Sequence, residues 1–336
     1  MTDLYLKDVR RVSSSRFEAL RTQLSEAEKL IAGRACVYAT GSFGRLEAGP
    51  LSDLDLFIVV TTEESDKGKI RLLNGIDEIK LKFHLITAVE QQGISKFDAG
   101  GRYLESHGIE DFVLALGSRK DDFQNTLTGR LLLLLESRPL LGRDIYNHLL
   151  NDVVDAYFRD YPSNKVNFVP SFLINDILRM WRTFCVNYEF DRKKGSDDIK
   201  IKNLKLKFSR MMTCYSAILY LLSIHVATGS VSPEEVKAMV ALTPTERLEQ
   251  LQLENCLCEQ TAQSAFAARL DRVLREYSHF LEMTHQPKED VLVEYQKHAA
   301  EWKQSSYRFG REFAEAVAML GTARGEFDGL YRMILI

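Results

Sequence analysis

The chain has no CxxC pair, and its five cysteines, Cys36, Cys185, Cys214, Cys256 and Cys258, are odd in number and scattered. That spacing excludes a disulfide framework and a tetrahedral zinc site as the organising principle. Long apolar runs are missing too: the five leucines Leu131–Leu135 fall far short of the roughly 20 apolar residues that cross a bilayer. No apolar leader of secretory type opens the sequence. There is no repeat, low-complexity tract or long Gly/Ser linker. A formal net charge of -3 over 336 residues leaves no global polycation to wrap a nucleic acid. These absences lead us to expect a reduced, cytoplasmic protein without a membrane partner.

What is present is ordinary globular material, 45% hydrophobic and 27% charged, in a length that suits about two domains. Residues 1–34 read as a helical lead-in, with Phe17, Leu20, Leu24, Ala27, Leu30 and Ile31 at helical spacing and Gly33 at the end. The period then changes. Ala35–Thr40 (ACVYAT) reads as a first strand and Asp53–Thr61 (DLDLFIVVT) as a second. Residues 65–76 read as a charged helix, and the alternating Glu78–Thr87 (EIKLKFHLIT) as a third strand. From about residue 126 helical signals take over: a leucine-rich helix ending at Ser137 with Pro139 beyond it, then 171–190, 200–228, 243–251 capped by Thr243 or Thr245, 260–284 and 290–320. Phe172, Ile177, Trp181, Phe184 and Tyr188 read as the apolar stripe of 171–190. The expected class is α+β: a mixed-sheet domain at 1–140 and an all-α helical-bundle domain at 141–336, divided near Pro139 and Gly142.

The stretch GSFGRLEAGPLSDLDLFIVV, Gly41–Val60, carries the chemistry. Alternate residues of a strand share a face, so Asp53 and Asp55 project together, opposite Leu54 and Leu56. Two adjacent carboxylates repel, and burial raises the cost. A cation between them, or neighbouring Arg and Lys, relieves it; oxygen-rich sites of this kind suit Mg²⁺, which also binds substrate phosphates. Gly41 and Ser42 follow the first strand, where backbone N–H groups and a hydroxyl can hold a phosphate. Arg45 is placed to pair with a phosphate oxygen or with Glu47. Ser52 is a further candidate near the phosphates, or a residue that satisfies its own loop.

Gly41-Ser42, eleven residues, then Asp53-Leu54-Asp55 resembles the hG[GS]…DhDh signature of the DNA polymerase β-like nucleotidyltransferase superfamily. The fuller GSFGRLE…SDLDLF is most similar to bacterial protein nucleotidylyltransferases and to bacterial two-domain nucleotidyltransferase-like proteins. The resemblance covers about twenty residues. It implies a nucleotidyltransferase-type sheet flanked by helices, with Mg²⁺ or Mn²⁺ at Asp53 and Asp55 as the catalytic pair. It further implies an NTP with its phosphates at Gly41, Ser42 and Arg45, and an acceptor hydroxyl between the domains. A protein or small-molecule acceptor is favoured over nucleic acid. An NTP-binding regulatory module without turnover and an RNA nucleotidyltransferase are the alternatives.

Members of that superfamily usually carry a third acid on a later strand, as base or metal ligand. Here the expected third strand offers Glu78 at its start, then Lys80, Lys82 and His84 on one face; Asp98, Glu105, Asp111, Asp121 and Asp122 are further candidates. In the helical half, Asn175, Arg179 and Arg182 share one stripe, and Lys202, Lys205 and Ser209 another, with Arg210 adjacent. Lys205 is the candidate phosphate ligand from that half; a solvated face is the plain alternative. The basic run 199–210 is the feature that an RNA substrate would use. Trp181 and Phe184 read as core; Arg130 and Glu136 flank the leucine run, and an interdomain ion pair is the simplest role for either.

Overall fold

The computed structural model describes residues 4–66, 68–94, 97, 104–119, 121, 125–193, 199–324 and 329–335. The chain divides into two compact units, Lys7–Ala156 and Met1–Leu6 with Tyr157–Ile336.

The first unit is built on β1 (Ala35–Thr40) and β2 (Asp55–Val60), both predicted by their β-prone runs. They pair antiparallel from Ala35↔Val60 to Thr40↔Asp55. Two edge strands complete a mixed sheet in the order β5-β2-β1-β6. β5 (Ser106–Gly108) runs parallel to β2, and β6 (Arg138–Leu141) antiparallel to β1. One face of the sheet, Ala35, Val37, Ala39, Leu54, Leu56, Ile58 and Val60, packs on helices α1 (Leu4–Gln23), α2 (Ser25–Ile31) and α4 (Gly75–Gln91). Tyr38 and Phe57 lie on the other face, stacked at 5.4 Å between centroids. Near them come α5 (Ile109–Leu114) and the leucine-rich α6 (Thr126–Glu136): Phe57 and Phe112 both approach Gly129. By the two-residue period, Asp55 opens β2 on this second face; the strand expected from Asp53 starts at Asp55, and Asp53 lies just outside it. α7 (Arg143–Tyr157) follows β6 within the same unit. Pro139 is therefore an edge-strand residue, a position its missing N–H allows, and the chain of this unit continues beyond the Pro139–Gly142 turn.

Two local expectations fail. The alternating stretch 78–87 is not a strand but the middle of α4, so Lys80, Lys82 and His84 do not share a strand face. Leu81, Leu85, Ala88 and Val89 are the buried positions, an i, i+4, i+7, i+8 set that only a helix aligns. Asn74 caps the helix by accepting the Asp77 N–H at 3.0 Å. The segment read as a charged helix holds instead a hairpin, β3 (Thr62–Ser65) with β4 (Gly68–Arg71). Of the described residues in 65–76 only Leu73 is buried, too little apolar face to reward a helix.

The second unit is helical, with α8 (Ser171–Arg192), α9 (Ile199–Thr228, with a π-helical turn at Leu206–Arg210), α10 (Pro233–Ala241), α11 (Pro244–Leu253), α12 (Gln260–Thr284), α13 (Lys288–Lys297), α14 (Ala299–Gly321) and α15 (Gly329–Leu335). Thr243 is the cap of α11, in a reciprocal box with Glu246. α9 is long and apolar enough by composition to cross a membrane, although no single run in the sequence suggested it; 67% of that window is buried. Its Phe208 stacks on Phe280 at 4.7 Å and contacts Phe309. On α8 the buried stripe is Leu173, Ile174, Ile177, Leu178 and Met180, while Phe172 is exposed.

Candidate active site

Where β1 ends, the chain turns through a one-turn helix, α3 (Gly41–Gly44). Gly41 has φ +62, a conformation that costs an L side chain about 1–2 kcal/mol. A Cβ at this residue would collide with Asp55 Oδ2 and lie 3.4 Å from Asp55 Cγ. The Asp55 carboxylate thus rests against the Gly41 backbone, as the Thr40↔Asp55 pairing requires. Gly44 is fixed by a different contact: a Cβ would run into the Glu136 carbonyl oxygen and come within 2.8 Å of Ala39 O. The structure therefore brings the Gly-Ser turn and Asp55 together. Ser42 is half-buried, Asp55 half-buried and Asp53 exposed.

A buried ionic cluster holds this turn. Arg45 Nε donates to Glu47 Oε2 at 2.7 Å and its Nη1 to Glu136 Oε2 at 2.8 Å, while the Gly41 N–H donates to Glu136 Oε1 at 3.2 Å. All three side chains are buried. Of the two pairings open to Arg45, the structure shows the carboxylate one, through which Arg45 holds the turn. The Gly41 N–H is likewise committed to Glu136. Glu136 joins elements of a single unit, a correction to its expected interdomain role. Arg130 does the same: its guanidinium grips Asp121 at 2.6 and 2.9 Å, with both side chains fully buried. Ser52 closes its own loop, accepting the Gly49 N–H at 2.9 Å and donating its N–H to Gly49 O.

Two residues behind the turn had no signal in the sequence. Ser13 accepts the Ala48 N–H at 3.1 Å, and Arg16 donates to Ala48 O and Gly49 O while lying 5.2 Å over the Phe43 ring. Both residues lie on α1 (Leu4–Gln23), inside the stretch expected to be helical. Only the fold reveals what its inner face touches.

The described acids proposed as a third carboxylate have other partners or stand exposed. Burial raises the Glu78 carboxyl, but hydrogen bonds from Lys82 and Ser106 outweigh it and leave it below the usual range. Asp111 accepts the Gly108 N–H at 2.8 Å. Burial likewise opposes ionisation of Asp121, and the bonds from Arg130 and Thr126 reverse it. Glu105 is exposed and His84 half-buried on α4. Asp98 and Asp122 lie outside the described residues. β5, beside β2, presents His107 opposite Val59. That ring lies against Phe57 and Phe112, and burial pushes its pKa down against the raising effect of Asp111 and Glu105. The short SHG strand carries too few residues to show a period, so its placement was not legible.

Among the described residues no group of three or more His, Cys, Asp and Glu side chains forms a metal cage. Asp53 and Asp55 offer hard oxygen donors two residues apart, Asp53 exposed and Asp55 half-buried. That set fits Mg²⁺, which keeps several waters and takes substrate phosphates as further ligands. It does not fit a closed structural metal.

The proposed basic surface belongs to the helical unit. Lys205 is exposed on α9. Lys202 pairs with Asp191 at 2.9 Å, Arg179 with the buried Asp176 at 3.6 Å, and Arg210 lies 4.9 Å over the Phe184 ring. Ser209 is buried near the Tyr277 hydroxyl. Of these cations, Lys205 and Arg182 are the exposed ones for which no ion pair is described.

Residues 18–122 match the family described as the nucleotidyltransferase domain. Comparison with curated proteins and with solved structures gives no match.

Proposed function

With a nucleotidyltransferase domain of the DNA polymerase β-like superfamily at residues 18–122 as the premise, we propose that this chain moves a nucleoside monophosphate from an NTP to an acceptor hydroxyl, with release of pyrophosphate. The observation that carries the reading is the seating of the Asp55 carboxylate on Gly41, the residue before Ser42, with the exposed Asp53 two residues ahead of Asp55 in the chain. In this reading Asp53 and Asp55 hold Mg²⁺ or Mn²⁺, and the triphosphate lies along the Gly41–Ser42 turn. The metal, when bound, neutralises phosphate charge and orients the attacking oxygen. Gly41 allows Asp55 to approach the turn, and the Arg45–Glu47–Glu136 cluster keeps the turn in place. The acceptor oxygen bonds to the α-phosphorus, the bond to pyrophosphate breaks, and the hydroxyl proton leaves to water. A protein or small-molecule acceptor in the cytoplasm suits the near-neutral charge balance better than a nucleic acid does.

A second reading is favoured by one specific observation: the described third-acid candidates are committed elsewhere or stand exposed. An NTP-binding module without turnover has no need of that acid. The test is incubation with each α-labelled NTP and Mg²⁺ or Mn²⁺, with a cell extract as acceptor source, beside an Asp53→Ala, Asp55→Ala variant. Pyrophosphate release and label transfer that vanish in the variant support the transferase. Metal-dependent NTP binding without turnover, lost in the variant, supports the module. Neither binding nor turnover refutes both.

A further inference from the structure

The loop 46–52 joins the Gly-Ser turn to Asp53 without regular structure, yet its backbone is closely held. Leu46 has φ +55, a left-handed conformation that a residue with a side chain seldom takes and keeps only where its surroundings over-determine it. Here the surroundings are specific. The Glu47 N–H donates to Ser42 O at 2.7 Å, and the Ala48 N–H to the buried Ser13. Arg16 Nη1 donates to both Ala48 O and Gly49 O, while its guanidinium lies over Phe43, the residue after Ser42. Gly49 and Ser52 then close on each other: Gly49 O accepts the Ser52 N–H at 3.1 Å, and Ser52 Oγ accepts the Gly49 N–H at 2.9 Å. Arg16 and the Ser52 N–H thus converge on one carbonyl oxygen, and the residue after Ser52 is Asp53.

The two aspartates are held by different means. Asp55 is fixed by its pairing with Thr40 and its seat on Gly41. Asp53 is exposed and lies outside β2. The buried Leu54 anchors the chain after it, and the loop sets the chain before it. We infer that Arg16 is a positioning residue for Asp53: through Gly49 and Ser52 it fixes where the Asp53 carboxylate stands relative to Asp55, and so sets the affinity of the pair for a divalent cation. This rests on the metal role proposed for the two aspartates. Residues that hold metal ligands in place control metal affinity by about 10–100-fold. Ser13 and Arg16 precede the residues 18–122 that match the family, so this support comes from α1, within the same unit.

The experiment titrates Mn²⁺ into the full chain, follows the free ion by electron paramagnetic resonance, and records melting by circular dichroism on the same preparations. Wild type is expected to bind Mn²⁺ and the Asp53→Ala, Asp55→Ala variant not to. Arg16→Met keeps an aliphatic stem near Phe43 and removes the donors; it should weaken binding about tenfold. Arg16→Lys, which can still donate to Gly49 O, should recover most of that loss. Ser52→Ala loosens the same link without touching α1 and should also weaken binding about tenfold. Because both act on one link, the Arg16→Met, Ser52→Ala pair should be no weaker than either alone. Leu81→Ala empties a buried position of α4 and serves as the control for stability; it should melt lower with Mn²⁺ affinity intact. Unchanged affinity in Arg16→Met overturns the inference and leaves the metal role of Asp53 and Asp55 standing. Losses that multiply in the pair overturn the route through Gly49 and Ser52. A comparable loss in Leu81→Ala overturns the inference as well, since the arginine then acts only through overall stability. If wild type and the double alanine variant bind Mn²⁺ alike, the metal role of the aspartates fails and the inference falls with it.

Discussion

Replacing Gly41 by alanine separates two contributions that usually arrive together. Gly41 and Gly93 both have φ +62. At Gly93 an added Cβ meets nothing within 4 Å, whereas at Gly41 it collides with the Asp55 carboxylate, with Asp55 Cγ only 3.4 Å away. The left-handed backbone costs each variant about 1 kcal/mol. The collision adds about 2 kcal/mol of overpacking to Gly41→Ala alone. For a unit of about 150 residues, at roughly 3 °C per kcal/mol, Gly93→Ala should melt about 3 °C lower and Gly41→Ala about 9 °C lower. Relief at Gly41 requires the carboxylate to swing by about 1 Å, a displacement that costs on the order of 100-fold in turnover. Gly93→Ala should keep full activity. Melting followed by circular dichroism and pyrophosphate release on the same preparations test both parts. Equal melting points and equal rates for the two variants would refute the seating of Asp55 on Gly41 as a functional contact.

Removing the Arg45 guanidinium with Arg45→Ala leaves Glu47 and Glu136 buried without their shared cation, and should cost about 3–5 kcal/mol in urea unfolding; a loss below about 1 kcal/mol contradicts the cluster as drawn. Gly44→Ala drives a methyl into two backbone carbonyls, neither of which can rotate away, and should destabilise by about 3 kcal/mol, read as a lower urea midpoint. His107 is held below the ordinary histidine value of 6.5 by burial, so the unfolded chain binds its proton first on acidification. Its contribution is complete above pH 6.5 and is lost as pH falls toward the folded value. A His107→Phe variant should therefore show a flatter stability profile just below pH 6.5 while keeping the acid limb of carboxylates such as Glu110, whose ordinary value is 4.5. An unchanged slope there excludes His107 as its source.

Much of this architecture was legible because local chemistry and tertiary demand agree. ACVYAT and DLFIVV are strand formers needed as central strands, and the leucine run at 126–136 is a helix with Pro139 beyond its end. The Gly-Ser turn and the two aspartates were visible for the same reason: one needs a left-handed backbone, the other a strand period. The failures have physical causes as well. EIKLKFHLIT satisfies both a period of 2 and a helical period, because Ile79 and Phe83 are apolar yet exposed; the exposed stripe itself obscured the helix. The role of Arg45 turned on Glu136, ninety-one residues away in sequence, and no local pattern reports such a pairing. Ser13, Arg16 and His107 act through contacts that exist only after the strands and helices have come together.

The central claim is that the bond cleaved lies between the α- and β-phosphates. The most direct measurement uses one NTP in two labelled forms, at the α- and at the γ-phosphate, incubated with the full chain, Mg²⁺ and a cell extract. Subtraction of the Asp53→Ala, Asp55→Ala variant removes background. The account predicts α label on an acceptor and γ label recovered as pyrophosphate, both absent with the variant. Release of γ label as inorganic phosphate, or its transfer to an acceptor, in a manner dependent on Asp53 and Asp55 would contradict it.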